Sequence, residues 1–489
     1  MTATTSLPFV PLLIGGQHRP SSTGATYPVY NPYTNSLVAS AAAASSDDCR
    51  AAIEAAHAAL PGWEATPLQV KRNIFLRAAA IMESEAWMSK VEQAFREDVA
   101  GTRLWGTGSA RLAAGDVRAA ASLVSALKGE TFPSVAPGGH AFVQRRAHGV
   151  IYSVIPWNGP VPLTIRGAAI PVICGNTVII RPSEFGPRAH ALVLDAFHQA
   201  GLPAGVMNLL PMSTEDTPKL TSEIISHPFV KTITFTGSEK VARIIAAQAG
   251  QHLKPCVLEL GGKAASIVLA DANIKEAAKA IVFAGMVFSG QVCMSTERVI
   301  VERAASEGLL AEIKDLVASL TTGSPEDALV SSLFTEAHAE SVVGLLRDAR
   351  EMGAEVIAGD LKRDGTLVKP HVLTGVKRGM RLWVDESFGP VLAVAVVDTV
   401  DEAVRLANDT EYTLTASIWT NNLQHAMQTA MSLRTGAVNI NGGTIHVEEG
   451  HIIEGLGGGS GYGTFNIEQF THKRVITLHP EKQQNPWFA

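Results

Sequence analysis

A lone cysteine, Cys293, lies in the polar string Ser289-Gly290-Gln291-Val292-Cys293-Met294-Ser295-Thr296-Glu297-Arg298, after a predicted helix and a glycine. A thiol becomes a nucleophile where positive charge or backbone amides favour its thiolate; elsewhere it packs as a small apolar side chain. Glu259 ends the strongly apolar run Cys256-Val257-Leu258 and precedes Leu260-Gly261-Gly262-Lys263. Poor solvation at such a strand end raises a carboxyl pKa, which suits a general base. The alternative is an ion pair with Lys263 or another cation. Trp157-Asn158-Gly159-Pro160 follows a further apolar run, and the Asn158 amide can donate to an oxyanion or merely form an Asn-Gly turn. These residue types offer a nucleophile, a base and an oxyanion donor.

Other strings suggest where an anionic or ribose-bearing ligand would sit. Neither G-x-G-x-x-G nor G-x-x-x-x-G-K-[ST] occurs. Instead, Phe235-Thr236-Gly237-Ser238 lies between a strand and the helical stretch that starts at Glu239. One glycine, one hydroxyl and a helix N-terminus can hold a phosphate, or can simply cap the helix. Arg181-Pro182-Ser183-Glu184 follows a strand ending at Ile180. A cation and an acid there suit ribose hydroxyls, and Glu184 would repel a 2′-phosphate, favouring NAD over NADP; a self-satisfying surface ion pair is the alternative. If a helix starts near Pro160, Gly159 and Arg166 are two turns apart on one face. A missing side chain beside a cation suggests a wide channel for something flat and partly anionic.

The elements that must position these residues are those of an α/β protein. From Gly149 onward, β-rich runs at 150–155, 177–180, 206–210 and 232–235 alternate with helical or turn signals, which predicts a parallel sheet with crossover helices. A second alternating region begins near Cys256 and continues through 266–269, 299–301 and 391–397. Upstream, Ser46-Asp47-Asp48 predicts a capped helix ended by Pro61-Gly62. Two alternating stretches, 142–148 and 474–479, fit neither region. They are candidates for an assembly element, or are ordinary edge strands.

With 489 residues and a net charge of −6, the chain has the composition of an ordinary globular protein, which excludes disorder or coiled coil as its main state. No basic stripe invites nucleic acid or anionic lipid. The longest nearly uncharged apolar run, between Arg166 and Arg181, falls short of the ~18 residues of a membrane span. The start shows no basic leader with a cleavage site, so the expected compartment is the cytoplasm. Cys49, Cys174, Cys256 and Cys293 form no C-x-x-C pair, so neither a disulfide framework nor a zinc ribbon is expected. His446 and His451 near Glu448 and Glu449 match no H-E-x-x-H helix, and no metal is expected.

In combination these motifs resemble the aldehyde dehydrogenase superfamily over nearly the whole chain. The likeness is carried by Pro156-Trp157-Asn158, by 175–184 ending in Arg181-Pro182-Ser183-Glu184, and by Phe235-Thr236-Gly237-Ser238. It continues in Leu258-Glu259-Leu260-Gly261-Gly262-Lys263, Gly290-Gln291-Val292-Cys293 and Glu386-Ser387-Phe388-Gly389-Pro390. The resemblance implies Cys293 as nucleophile, Glu259 as general base, and Asn158 with the Cys293 backbone N–H as oxyanion hole. It implies an NAD site at Ile155, Pro156, Trp157, Arg181, Ser183, Glu184, Gly237, Ser238, Val241, Leu260, Glu386 and Phe388. The implied fold is a Rossmann-type NAD-binding domain at 1–124 and 148–258, an α/β catalytic domain at 259–465, and small β oligomerisation strands at 125–147 and 466–489. A homodimer or homotetramer would follow.

Within the superfamily, 290–298 with Trp105, Gly159 and Arg166 is most similar to the salicylaldehyde, vanillin and benzaldehyde dehydrogenases. That implies an aromatic aldehyde as substrate, met by Trp105, Gly159, Arg166, Val292 and Met294; an aliphatic aldehyde or semialdehyde is the alternative. Trp105 could stack on the ring and Arg166 could meet an ortho-hydroxyl. Arg181 stands where lysine is usual, and its wider cation could tolerate the 2′-phosphate of NADP. Ala242 and Thr413 replace common glycines, and 448–458 departs from the segment expected at the substrate mouth. A non-catalytic relative is the reading from another class, yet stability alone requires none of Cys293, Glu259, Asn158 and Glu386.

Overall fold

The computed structural model describes residues 7–446 and 454–481. The apolar, β-branched runs Val150–Val154, Thr177–Arg181, Met207–Leu209, Val230–Thr236 and Cys256–Glu259 form parallel strands of one sheet. Almost every residue in them is buried, as expected when helices cover both faces. Val150–Val154 lies between Thr177–Arg181 and Val230–Thr236, so the chain winds outward one way and then returns to build the other side. This reversal opens a crevice at the carboxyl end of Val150–Val154, the usual ligand position in such sheets. Trp157-Asn158 and Gly237-Ser238 leave from its two lips. The helix Pro160–Ile173 starts at Pro160 as predicted and lies close on the sheet. A Cβ at Gly167 would come within 2.6 Å of Ser153 Oγ.

The helix Ser46–Ala65 is capped, though by Ser45, one residue before the predicted Ser46, in a capping box with Asp48, and it runs on through Pro61-Gly62. Its last turn is anchored by Trp63, which is buried and donates its Nε1–H to the carbonyl of Val172 at 2.8 Å. Tertiary packing thus outweighs the lost backbone donor of Pro61.

The second sheet runs Glu355–Ala358, His371–Thr374, Val391–Val397, Thr296–Glu302, Ala264–Val268, Thr415–Trp419 and Ala437–Ile440. All neighbours are parallel except the first pair. Glu259 closes a strand of the first sheet and Ala264 opens one of the second, so Gly261-Gly262 bridges the two. A Cβ at Gly262 would collide with the Cys293 carbonyl, and one at Gly261 with the Glu386 carboxylate. Cys293 follows a left-handed turn, with φ of 49° at Phe288, 58° at Ser289 and 73° at Gly290. Two non-glycine residues in that region store strain of about 1–3 kcal/mol each. Ser289 helps to hold it, donating from Oγ to the Ser331 carbonyl at 2.8 Å.

The two stretches that fitted neither region pair with each other. Thr471–Leu478 runs antiparallel to His140–Ala147, which also pairs with Glu130–Pro133. All but the first residue of Thr471–Leu478 are exposed. Gly461–Tyr462 lies antiparallel to Cys256–Glu259 and so belongs to the first sheet, although it precedes the boundary expected at 465. Among the described residues no helix is long and apolar enough to cross a membrane, and no group of His, Cys, Asp and Glu could hold a metal. Part of the atypical 448–458 segment, including Glu448, Glu449 and His451, lies outside the described residues.

Candidate active site

Cys293 sits at the junction of the two sheets with its side chain partly exposed. Burial and the nearby Glu259 carboxylate push its thiol up to about 12, while Arg166 and its own backbone N–H act the other way. Glu259 is buried at the end of its strand, and desolvation raises its pKa as the sequence suggested. Its cation is Arg166, not Lys263. Arg166 Nη1 donates to Glu259 Oε1 at 2.8 Å, and Nη2 contacts Oε2. The guanidinium also lies over the ring of Phe465, 5.0 Å from its centroid.

Lys263 pairs instead with Glu297. The same Glu297 carboxylate accepts the backbone N–H groups of Ser387, at 2.9 Å, and Phe388, at 3.2 Å. Asn158 is buried and donates its Nδ2–H to the Gln291 carbonyl at 3.0 Å. An amide carries two such hydrogens, so one stays available for an oxyanion. The Asn158 backbone carbonyl is fixed in turn by Trp105 Nε1, at 3.1 Å. The Trp105 ring stacks on Phe288 at 6.2 Å, within a cluster that includes Phe95, Trp157, Val292, Met294, Phe334 and Phe388. Gly159 immediately precedes the Pro160–Ile173 helix, whose Arg166 reaches Glu259.

Among the residues expected to hold the cofactor, Glu386 accepts the N–H of Gly262 at 2.8 Å. Burial and the charge of Glu297 push it up to about 8. Phe388 follows in a left-handed conformation, φ 48°, and its carbonyl meets His338 Nε2 at 2.9 Å. Arg181, buried, binds Glu184 at 2.7 Å and Thr217 at 3.1 Å through Nη2. Ser183 Oγ accepts the N–H of Phe185 at 3.3 Å. Trp157, which follows Ile155 and Pro156, stacks on Phe334 at 4.6 Å. The N–H of Leu260 bonds the Ser460 carbonyl at 3.2 Å.

These residues fit a dinucleotide. Ser238 precedes the helix Glu239–Gln251 without a side-chain cap bond, the arrangement of hydroxyl and helix N-terminus that can receive a phosphate. Gly237 donates to the Glu259 carbonyl at 3.1 Å, tying the Gly237-Ser238 turn to the strand that ends at Glu259. Val241, one turn on, is 43% exposed, an apolar surface next to the turn. A cleft of about 750 Å³ runs from Glu184 and Phe185 past Phe334 to residues 27–35 and 364–367, and of the residues expected to hold NAD it borders Glu184 alone. Several site residues carried no signal of their own in the sequence: Phe288, Phe334, His338, Ser460 and Phe465. Gln291 stood inside a quoted motif, yet its part in holding Asn158 and, through Oε1, the N–H of Phe334 at 2.9 Å needs the folded chain to see.

A doubly wound nucleotide sheet, joined through a glycine pair to a second α/β sheet with a cysteine and a buried glutamate at the seam, defines a cofactor-dependent enzyme of carbonyl chemistry. The chain belongs to the aldehyde dehydrogenase family, whose family model matches residues 18–476, and it is an NAD(P)-dependent aldehyde dehydrogenase. It is 39% identical to a vanillin dehydrogenase of Pseudomonas sp. (strain HR199 / DSM 7063), over 98% of this chain and 99% of that one. It is 36% identical to a salicylaldehyde dehydrogenase of Pseudomonas sp. (strain C18), over 96% of this chain and 97% of the relative. Its fold matches a crystal structure of a salicylaldehyde dehydrogenase from Pseudomonas putida G7 complexed with salicylaldehyde. The TM-score is 0.95 at 34% identity, covering 98% of this chain and all of that one.

Proposed function

We propose that this enzyme oxidises an aromatic aldehyde, in particular one with a hydroxyl beside the aldehyde group, to the carboxylic acid, with NAD as the preferred cofactor. The observation that carries the reading is the convergence of Cys293, Glu259, Asn158 and Arg166 beside the aromatic cluster of Trp105 and Phe288. The names of the similar proteins support the substrate class.

The chemistry follows from the residues. The Cys293 thiolate adds to the aldehyde carbon, and the free Asn158 N–H with the Cys293 backbone N–H holds the oxyanion. When bound, NAD(P) supplies the hydride acceptor. Glu259 then takes a proton from water, the hydroxide attacks the thioester carbon, and the acid leaves as the thiolate is restored. Glu386 and Phe388 would hold the nicotinamide ribose, Arg181, Ser183 and Glu184 the adenosine ribose, and Ile155, Pro156, Trp157, Gly237, Ser238, Val241 and Leu260 the rest of the dinucleotide. NAD preference rests on the Arg181–Glu184 pair: the carboxylate occupies the guanidinium that a 2′-phosphate would need. Trp105, Gly159, Arg166, Val292 and Met294 form the aldehyde pocket.

The parallel-sheet stretches up to Glu259 form the NAD-binding domain in this reading, and those from Ala264 to Ile440 the catalytic one. The sheet of Glu130–Pro133, His140–Ala147 and Thr471–Leu478 joins copies into a homodimer or homotetramer, supported by its row of exposed residues and open edge. Four unpaired cysteines, one of them the nucleophile, support a reducing, cytoplasmic setting.

Reduced cofactor formation with NAD or NADP tests the reading, using salicylaldehyde, vanillin, benzaldehyde, succinic semialdehyde and an aliphatic aldehyde beside the Cys293→Ala variant. NAD-linked turnover of salicylaldehyde that vanishes in Cys293→Ala is the expected result. Preference for the aliphatic compounds would overturn the aromatic assignment.

A further inference from the structure

We propose that Arg166 is a positioning residue for the general base: it holds Glu259 as a carboxylate where water must be activated, separately from any contact it makes with the aldehyde. The inference rests on the reading of Glu259 as the base and adds what controls that base.

Glu259 and Arg166 are 93 residues apart in the chain and meet because the Pro160–Ile173 helix lies on the Val150–Val154 and Thr177–Arg181 strands, from which Arg166 reaches the end of the Cys256–Glu259 strand. Close packing through Gly167 seats that helix. Both terminal nitrogens face the carboxylate: Nη1 donates to Oε1, and Nη2 lies in ionic contact with Oε2 without a hydrogen bond, which orients the carboxylate as well as countering its charge. The other groups near the centre cannot replace it. Lys263 is committed to Glu297, Glu386 is itself an acid, and Cys293 gains negative charge when it reacts. Burial disfavours the charged form of Glu259; Arg166 opposes this, and it favours the Cys293 thiolate as well. The guanidinium is not saturated. Its Nε and Nη2 are both buried without a hydrogen-bond acceptor, leaving donors for a substrate oxygen while Nη1 keeps Glu259.

The consequence separates two steps. Hydrolysis of the thioester depends on the Arg166–Glu259 pair with every aldehyde, including those without a ring oxygen. The test compares wild type, Arg166→Gln, Arg166→Lys and Glu259→Gln with benzaldehyde and salicylaldehyde. It measures the pre-steady-state burst of reduced cofactor, and kcat and KM across pH. In Arg166→Gln, kcat for benzaldehyde should fall about tenfold or more while a burst persists. Without the cation the Glu259 pKa rises, so the acidic limb of kcat should move to higher pH by about one unit or more. Arg166→Lys, which keeps the charge and not the fork, should fall between and answers the case in which the Gln variant does not fold. An unmoved limb, with only KM for salicylaldehyde raised, would make Arg166 a substrate contact and overturn the inference. Failure of the underlying reading looks different: Glu259→Gln would then hydrolyse its acyl-enzyme at the wild-type rate.

Discussion

Lys263–Glu297 and Arg166–Glu259 are both cation–carboxylate pairs at the seam between the two large sheets, and they differ in how completely they are sealed. The side chains of Lys263 and Glu297 are 0% and 4% exposed, and both oxygens of Glu297 are used by Lys263 and by two backbone N–H groups. Arg166 and Glu259 are 15% and 9% exposed, and Arg166 keeps a donor in reserve. A saturated pair fixes geometry: here it pins the turn that carries Glu386 and Phe388. An unsaturated pair at the edge of a cleft can accept a proton or a ligand. Chemical type alone does not separate the two cases; the number of uncommitted hydrogen-bonding positions does.

The sharpest way to break this comparison is to neutralise each carboxylate in turn. Glu259→Gln should lower steady-state turnover by about 10²–10⁴-fold, the usual weight of a general base. Its amide oxygen can still accept from Arg166, so the fold should survive; rapid-quench detection of a stalled acyl-enzyme is the measurement. Equal loss in Glu297→Gln, with the same stalled species, would erase the distinction.

Lys263→Met addresses the sealed pair from the cation side. Removing one partner of a buried pair leaves an uncompensated charge, and the expected cost is about 3–5 kcal/mol in denaturant unfolding. The freed Glu297 should also loosen the Glu386–Phe388 turn and raise KM for the cofactor more than for the aldehyde. An unchanged unfolding midpoint would show that the two backbone N–H groups alone satisfy Glu297.

How much of this was legible beforehand depended on distance along the chain. The strand–turn–helix rhythm exposed the first sheet, and the cysteine, glutamate and asparagine stood out because each ends or follows an apolar run. The partner of Glu259 did not. Lys263, four residues on, looked available, but Gly261-Gly262 carries the chain from one sheet to the next, and Lys263 opens onto Glu297 of the neighbouring strand. A four-residue spacing implies contact in a helix and nothing across such a bridge. For the same reason the unaided sequence pointed Arg166 at the substrate alone. Trp105 was expected against the aldehyde; that its indole N–H also fixes the carbonyl of Asn158 needs the folded chain to see. The orphan strands were recognised by their alternation, yet that they pair with each other follows from a return of the chain that no local pattern encodes. Pro61-Gly62 failed as a helix stop because a buried tryptophan just beyond it kept the last turn in place.

A subtler difference between the two carboxylates lies under the backbone. Glu259 pairs with Gly461, and the adjoining Ser460 is a buried clamp: its carbonyl takes the N–H of Leu260, and its Oγ donates to the Gly261 carbonyl at 2.7 Å. Ser460 Oγ in turn accepts the N–H of Thr413, at 2.9 Å. Thr413, where the resemblance led us to expect glycine, accepts from the Leu456 N–H at 2.8 Å and donates to the Gly457 carbonyl at 3.2 Å. Thr413 therefore joins the atypical segment, through its hydroxyl, to Ser460, through its backbone N–H. Thr413→Val keeps the volume and removes both bonds, at about 1 kcal/mol or somewhat more. Amide exchange at Leu456 should then quicken by roughly fivefold, the equivalent of that energy, while exchange around Glu297 stays as it was. Turnover should change less than in either carboxylate variant, because Ser460 still holds Gly261. If exchange at Leu456 stays slow, the mouth segment is held by other contacts, and the base is seated independently of it.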